Sequence, residues 1–394
     1  MGAVGIIAEY NPFHAGHLRQ LRSLGEDPAV VVLSGDYVQR GEPAVFDKFA
    51  RAEAAVRCGA ALVLELPLPW CLSSAEGFAR GGVGMLLATG AVDTLSFGSE
   101  SGDADALNAC ADALLRPELT ELLRQELATG ASFAAARERA VFRLAGAAAE
   151  PLRRPNDLLA VEYIRQLRLL GGTLKLHPIR REDSVHDGPG SASVLREMMD
   201  RRENWLTGIP PEAAAVYERE IHDGKGPVRP EDLRLAMLSR LRERTEEDLA
   251  RLPDAAEGLE HKLYEAIRNE TDPEEMAHAA KSRRYALSRL RRMLMCAALS
   301  VERGMADGTP PYLRVLAMDE RGMELLRSMR ASAHCPVIVK PAAFREMPEE
   351  TRRIFSLGSD AHDFYVLGRS SSARQRCGED LRTTPFIIKE TEER

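Results

Sequence analysis

Apolar and polar positions alternate in two different rhythms along this chain. In the first half, short continuous apolar runs are separated by segments of helical period. Val4–Glu9, Val30–Ser34 and Ala61–Leu66 are aliphatic runs of strand length. Turn chemistry closes two of them: Gly35-Asp36 follows the second and Pro67 stops the third. Thr94–Phe97, ended by Gly98, predicts a fourth strand, and Thr173–His177 a fifth. Between the strands, His17–Leu24 reads as the start of a helix, and Phe46–Cys58, Ala75–Thr89 and Asn156–Leu170 carry helical spacing. The Ala-, Leu-, Arg- and Glu-rich stretch 103–150 predicts further helices. This alternation predicts a parallel sheet with helices on both faces.

The second half is different. Prolines cluster between 210 and 230, in IPPEAAA and GKGPVRPED, and place a domain boundary near 205–230. Residues 231–305 read as all-helical. Tyr312–Ala317 and Pro336–Lys340 read as short strands around a helix at Gly322–Met329, a small α/β layer closing the second half. The expected fold is α/β: a Rossmann-like parallel sheet in domain 1–205, then a mostly helical C-terminal domain, 206–394, with that small α/β closing layer.

Composition narrows the class. The chain has 394 residues, 44% of them hydrophobic and 29% charged, which supports a sizeable core and excludes a disordered chain. A net charge of −7 argues against a general binder of polyanions but leaves room for a local basic face. The six cysteines, at 58, 71, 110, 296, 335 and 377, have no CxxC spacing. They are expected to be reduced and mostly buried. No leader-like pattern or membrane-length apolar run is present, so a soluble, cytoplasmic protein without a membrane partner is expected.

Candidate chemistry begins at NPFHAGH, Asn11–His17, where the first strand runs out. Ligands of open α/β folds bind at that edge of the sheet. A helix opening there offers unpaired N–H groups and the positive end of its dipole to a phosphate. His14 and His17, three residues apart, can aim at one phosphate, and Gly16 leaves room for a close approach. Fixed donors at that point suit attack on the α-phosphate of a nucleoside triphosphate, where charge grows on the phosphorus oxygens. The alternatives are surface polar residues or a partial metal site; for zinc, no nearby Cys, Asp or Glu has obvious ligand spacing. In SASVLR, Ser191, Ser193 and Arg196 follow a glycine loop and open a late helix. They can hold β- and γ-phosphates, or be an ordinary serine N-cap with a surface arginine. KSRRYALSRLRR, residues 281–292, holds six basic residues and no acidic one. On a helix, Lys281, Arg284, Arg291 and Arg292 would form a basic stripe beside Leu287, Leu290 and Leu294. Such a stripe suits a phosphate backbone, and a solvated amphipathic helix is the alternative. GRSSSARQR, 368–376, is a second basic loop.

NPFHAGH resembles the HxGH signature of the nucleotidyltransferase and class I aminoacyl-tRNA synthetase superfamily, and SASVLR resembles its late Ser/Thr-rich motif ending in arginine. More specifically, the chain resembles the tRNA(Met) cytidine acetate ligase family. The matching segments are VGIIAEYNPFHAGH, SGDYVQRGEPAVFDKFARAEAAVRCGAALVLELP, LSFGSE, PNDLLAVEYI, the PIRR–VHD region and KSRRYALSRLRR, in the expected order over most of the chain. The resemblance implies that acetate and ATP give acetyl-adenylate and pyrophosphate. The acetyl group then passes to N4 of the wobble cytidine of elongator tRNA(Met), and acetyl-CoA is not used. Mg²⁺ is expected with ATP, with no carboxylate assigned to it.

By the same resemblance, His14 and His17 are the catalytic pair. The ATP-binding stretch is Ile7, Ala8, Glu9, Tyr10, Asn11, Pro12, Phe13, His14, Ala15, Gly16, His17, Leu18, Arg19 and Gln20. Gly98, Asn156 and Arg181 join it, with Arg180 beside the last. Ser191, Ser193 and Arg196 complete the phosphate side, and Lys281, Arg284, Arg291 and Arg292 the tRNA side. The family often has a Gly/Ala stretch and a Tyr before His-Asp; here Glu182–Val185 precede His186-Asp187. Asn156 also fits a helix N-cap. Asp36, Gln39, Arg40 and Lys48 cluster after the second strand, and Arg40 or Lys48 could meet a carboxylate such as acetate. Two other functions compete: a small-molecule adenylyltransferase, which leaves the basic segment unused, and a non-catalytic RNA-binding protein.

Overall fold

The computed structural model describes residues 2–181, 191–256, 258–282 and 285–388. The chain opens with strand β1 (Ala3–Ala8), helix α1 (Ala15–Arg22) and β2 (Ala29–Ser34). A small hairpin of β3 (Tyr37–Val38) and β4 (Glu42–Pro43) precedes α2 (Lys48–Arg57). Then come β5 (Leu62–Leu66), α3 (Leu68–Cys71), α4 (Ala75–Thr89) and β6 (Val92–Ser99). Three helices, α5 (Ala104–Leu115), α6 (Glu118–Ala128) and α7 (Phe133–Ala145), lead to α8 (Pro155–Leu169), β7 (Lys175–Arg180) and α9 (Ala192–Asp200). The helical region holds α10 (Pro211–His222), α11 (Arg234–Arg242), α12 (Glu246–Ala250), α13 (Leu259–Asn269), α14 (Pro273–Ala280) and α15 (Leu287–Leu299). The chain then forms β8 (Leu313–Met318), α16 (Glu320–Ser332), β9 (Val337–Ile338), α17 (Glu349–Tyr365), α18 (Glu379–Arg382) and β10 (Phe386–Ile387).

The strand order is β10-β8-β5-β2-β1-β6-β7, with β9 also on β8. From β5 to β7 all neighbours are parallel. The buried runs read as expected for strands covered on both faces. In β2, Val30 and Val32 pack into one core cluster while Val31 and Leu33 pack into the other. The chain winds outward from β1 to β2 and β5, then restarts on the far side of β1 with β6. The carboxyl ends of β1 and β6 therefore flank the switch point where open sheets bind ligands.

The strands expected as a separate closing layer instead extend this sheet. β8 pairs antiparallel with β5, and β9 and β10 pair parallel with β8. They cover a β5 edge whose backbone groups would otherwise lack partners. The sheet thus draws strands from both sides of the 205/206 division.

A buried charge network seals this seam. Lys48 Nζ lies 2.5 Å from Asp380, 2.7 Å from Glu65 and 3.7 Å from Asp36. Arg314 bridges Glu65 at 3.0 Å and Asp380 at 2.8 Å. His362 Nδ1 meets Asp36 at 2.9 Å, and Arg369 pairs with Asp47 at 2.7 Å and with Glu379. Buried charges persist only when paired this fully, because loss of one partner strands the other in low dielectric. No helix among the described residues is long and apolar enough to cross a membrane. Four cysteines are buried, Cys335 is half-buried and Cys377 is exposed, all unpaired.

Candidate active site

The turn after β1 is strained and heavily tied down. Tyr10 adopts φ 45°, a left-handed conformation that costs a non-glycine residue energy. Neighbours hold it there. Its ring meets Phe13 edge-on at 4.8 Å and His17 at 4.6 Å between centroids. Phe13 is fully buried and donates its N–H to the Tyr217 hydroxyl at 3.0 Å. Asn11 Oδ1 accepts the Val45 N–H at 2.8 Å. The Arg51 guanidinium, also fully buried, donates to the carbonyls of Phe46, Glu9 and Gly35. It thereby ties together the carbonyls that follow β1 and β2.

His14, rather than His17, sits at the helix boundary, as the N-cap of α1. Its Nδ1 accepts the Gly16 N–H at 3.0 Å, and His17 Nδ1 accepts the His14 N–H at 3.3 Å. The two side chains thus form a reciprocal capping box in imidazole. A nitrogen that accepts N–H carries no proton, so each neutral ring holds its proton on Nε2. Burial pushes the His14 imidazole down to about 4, helped by Arg181, Arg19 and Arg196. Burial, His14 and Arg181 hold His17 well below its ordinary range. The rings pack at 3.7 Å between centroids. Two neutral rings can lie this close where two imidazolium ions would repel. Both rings are therefore neutral near pH 7, each with its proton on Nε2.

Gly16 serves this box. A Cβ there would meet the His14 ring at 2.8 Å, so glycine makes room for the capping side chain.

A cavity of about 530 Å³ lies above the switch point. Ile7, Ala8, Glu9, Tyr10, Asn11, His17 and Gln20 line it from the β1–α1 stretch. Of the remaining residues in that stretch, Pro12, Phe13, His14, Ala15, Gly16, Leu18 and Arg19 do not line it. Phe13 packs in the core, and His14, 5% exposed, packs its ring against His17. Gly98, Asn156, Arg181 and Arg196 all reach the cavity, and Phe78, Phe97, Leu158, Leu159 and Tyr163 make part of it apolar. A Cβ on Gly98 would only touch the Arg181 stem, at 3.6 Å. Gly98 pairs with Ile179 on β7 in parallel register, which brings Arg181 over the end of β6.

Asn156 is not the N-cap of α8; Arg154 holds that position. The Glu100 carboxylate fills the capping role instead. It accepts the N–H groups of Asn156 at 3.1 Å and Asp157 at 2.8 Å, and Asn156 Nδ2 at 2.7 Å. Arg181 Nη1 donates to Asn156 Oδ1 at 3.2 Å. Arg196 crosses from α9 to donate to the Asn11 carbonyl at 2.7 Å, so the early and late motifs meet directly. Ser191 is the N-cap of α9, accepting the Val194 N–H at 3.4 Å, and its hydroxyl lies 3.1 Å from that of Ser193. Neither serine lines the cavity.

Other expectations are corrected. Lys48 is fully buried and saturated by three carboxylates, so it cannot receive acetate; Asp36 belongs to the same network. Arg40 is exposed and does line the cavity. The basic stripe does not form on one helix. Lys281 is the exposed C-cap of α14, and α15 begins only at Leu287. Arg291 pairs with Glu274 at 2.5 Å and Glu42 at 3.2 Å, and the buried Arg292 pairs with Asp254 at 3.0 Å. The tip of the β3–β4 hairpin presses on them: a Cβ on Gly41 would lie 2.4 Å from the Arg292 backbone nitrogen. In the second basic loop, Arg369 is likewise buried and paired. Arg284 and residues 182–190, which include His186-Asp187, lie outside the described residues.

A parallel α/β sheet, a histidine-capped helix at its switch point and a cation-rimmed cavity above it define a nucleotidyl transferase of the HIGH type. The family described as HIGH Nucleotidyl Transferase matches residues 1–380. The tRNA(Met) cytidine acetate ligase of Fervidobacterium nodosum is 34% identical over 378 residues, covering 91% of this chain and 88% of its own length. That of Thermotoga maritima is 34% identical over 416 residues, covering 97% and 99%. The crystal structure of Thermotoga maritima TmcAL bound with alpha-thio ATP (Form II) matches with a TM-score of 0.92 at 34% identity, covering 99% of this chain and all 100% of that one. The chain belongs to the tRNA(Met) cytidine acetate ligase family.

Proposed function

We propose that this protein is an ATP-dependent tRNA acetate ligase. Acetate attacks the α-phosphorus of ATP, releasing pyrophosphate, and the acetyl-adenylate passes its acetyl group to N4 of the wobble cytidine of elongator tRNA(Met). The carrying observation is the cavity in which His17, Arg181 and Arg196 converge at the carboxyl ends of β1 and β6. The adenine fits the apolar part of that cavity, between Ile7, Phe97 and Leu159. The triphosphate lies toward α1. The His17 Nε2–H faces it directly, and His14 holds the ring and the helix end in place. Donors fixed before the reaction lower the barrier because they need not reorganise as charge grows on the phosphorus oxygens. Arg181 and Arg196 take the outgoing pyrophosphate. Mg²⁺, carried in on the phosphates, would add to that neutralisation.

Acetate and the target base enter from the hairpin side, where Arg40 is exposed at the cavity rim. A wobble base is already single-stranded and can be turned into a pocket at low cost. Exposed cations such as Lys281 and Arg40 would contact the tRNA backbone without reading sequence. The mixed anhydride is already activated, so acetyl-CoA is not required.

The test supplies pure protein with ATP, acetate and elongator tRNA(Met), and measures AMP, pyrophosphate and N4-acetylcytidine. All three should appear together and depend on acetate. Product formed from acetyl-CoA without ATP would overturn the reading.

A further inference from the structure

Amide formation on N4 of cytosine releases a proton, and the histidines cannot take it. Their Nδ1 atoms accept backbone N–H groups and their Nε2 atoms are already protonated. Among the described residues lining the cavity, Glu9 is the sole carboxylate. It stands at the carboxyl end of β1, on the same wall as His17. One oxygen, Oε1, accepts the Gln39 N–H at 2.7 Å, which fixes the side chain's direction; no hydrogen bond to Oε2 is found among the described residues. Oε2 is therefore the carboxylate oxygen left to accept a proton among the described residues that line the cavity.

We infer that Glu9 is the general base of acetyl transfer, an assignment that rests on the acetate-ligase reading above. The N4 nitrogen attacks the acetyl carbon and a C–N bond forms. The bond from that carbon to the adenylate oxygen breaks, and AMP leaves with the electron pair. The N4 proton passes to Glu9 Oε2. Charge and burial around Glu9 suit the role. Burial raises its pKa above the ordinary carboxylate range, while Arg196 from α9, Arg40 from the β3–β4 hairpin and Arg51 from α2 pull the other way. Cys71 on α3 and Tyr163 on α8 face it as well, and both are held protonated by burial. A base of raised pKa is a better proton acceptor near neutrality than an ordinary exposed carboxylate.

The experiment compares wild type with Glu9→Gln, which keeps an acceptor for the Gln39 N–H but cannot take a proton. Acetate-dependent ATP–pyrophosphate exchange reports the first step, and single-turnover acetylation of elongator tRNA(Met) reports the second. Transfer should fall by about 10²–10⁴-fold, and at least ten times further than exchange. Wild-type transfer should decline as pH drops through the Glu9 pKa, and the variant should lose that limb. Glu9→Asp, which restores a carboxylate, should recover part of the rate. Equal loss of exchange and transfer would overturn the assignment, because Glu9 would then serve the nucleotide or its Mg²⁺. Transfer within threefold of wild type would overturn it too. A wild-type protein that neither exchanges nor acetylates would instead refute the acetate-ligase reading itself.

Discussion

Replacing His17 by asparagine separates its two jobs. The Nδ1 atom caps α1 by accepting the His14 N–H at 3.3 Å, which leaves the Nε2–H as the free donor of a ring that lines the cavity. Asparagine can place its Oδ1 near the Nδ1 position but has nothing at the Nε2 position. The capping bond, worth about 1 kcal/mol, should survive. What disappears is one preorganised donor to the transition state, typically worth about 3–4 kcal/mol, or roughly 10²–10³ in rate. His17→Asn should therefore keep a wild-type melting temperature and lose roughly 10²–10³ of its acetate-dependent ATP–pyrophosphate exchange, with tRNA affinity preserved. His17→Gln, whose Nε2 can reach the cavity position, should retain more exchange than His17→Asn. If His17→Asn exchanged within threefold of wild type, the donor argument would be wrong. A rate loss matched by a large drop in melting temperature would make the ring a structural cap only.

Three further outcomes follow from the geometry. Asp36 beside His362 raises that imidazole to about 9 against burial, so the folded state holds the proton more tightly than the unfolded chain does. Its contribution, roughly 3 kcal/mol, is fully present below about pH 6.5 and is lost as pH rises through about 9. The stability gap between wild type and His362→Gln, measured by urea unfolding, should therefore shrink between those pH values; a constant gap would contradict the assignment. Arg292→Glu should cost about 3 kcal/mol because it leaves Asp254 facing a like charge, and adding Asp254→Arg should restore part of the melting temperature. Glu9→Gln should separate the two half-reactions as described above, read as the ratio of exchange to transfer.

Much of the sheet was legible because its strands are buried on both faces and read as unbroken aliphatic runs, as in β2 and β5. The position of NPFHAGH followed from the same logic, since a strand that ends in turn chemistry must deliver its next residues to the sheet edge. What escaped has two physical causes. The first is long-range pairing. Nothing local to Leu313–Met318 says that it pairs antiparallel with β5, and nothing local to Lys48 says that Asp380 will neutralise it. Such a lysine at a helix start looks solvated until the fold closes over it. Tyr217 supporting Phe13 belongs to the same class. The second cause is periodicity that the backbone does not follow. Residues 281–292 have helical spacing and no glycine or proline, yet α14 ends at Ala280 and α15 starts at Leu287. Arg291 and Arg292 then turn toward Glu274, Glu42 and Asp254. Glu100 was within reach of the sequence: an acid in the FGSE turn suits the open N-terminus of a neighbouring helix.

The central claim is that acetate attacks the α-phosphorus above His17. Acetate labelled with heavy oxygen in both positions tests it most directly, with AMP and pyrophosphate analysed by mass spectrometry after turnover on tRNA. If acetyl-adenylate forms, cleavage of its acyl–oxygen bond leaves one acetate oxygen in AMP and none in pyrophosphate. Label-free AMP alongside labelled acetyl-tRNA would contradict the account.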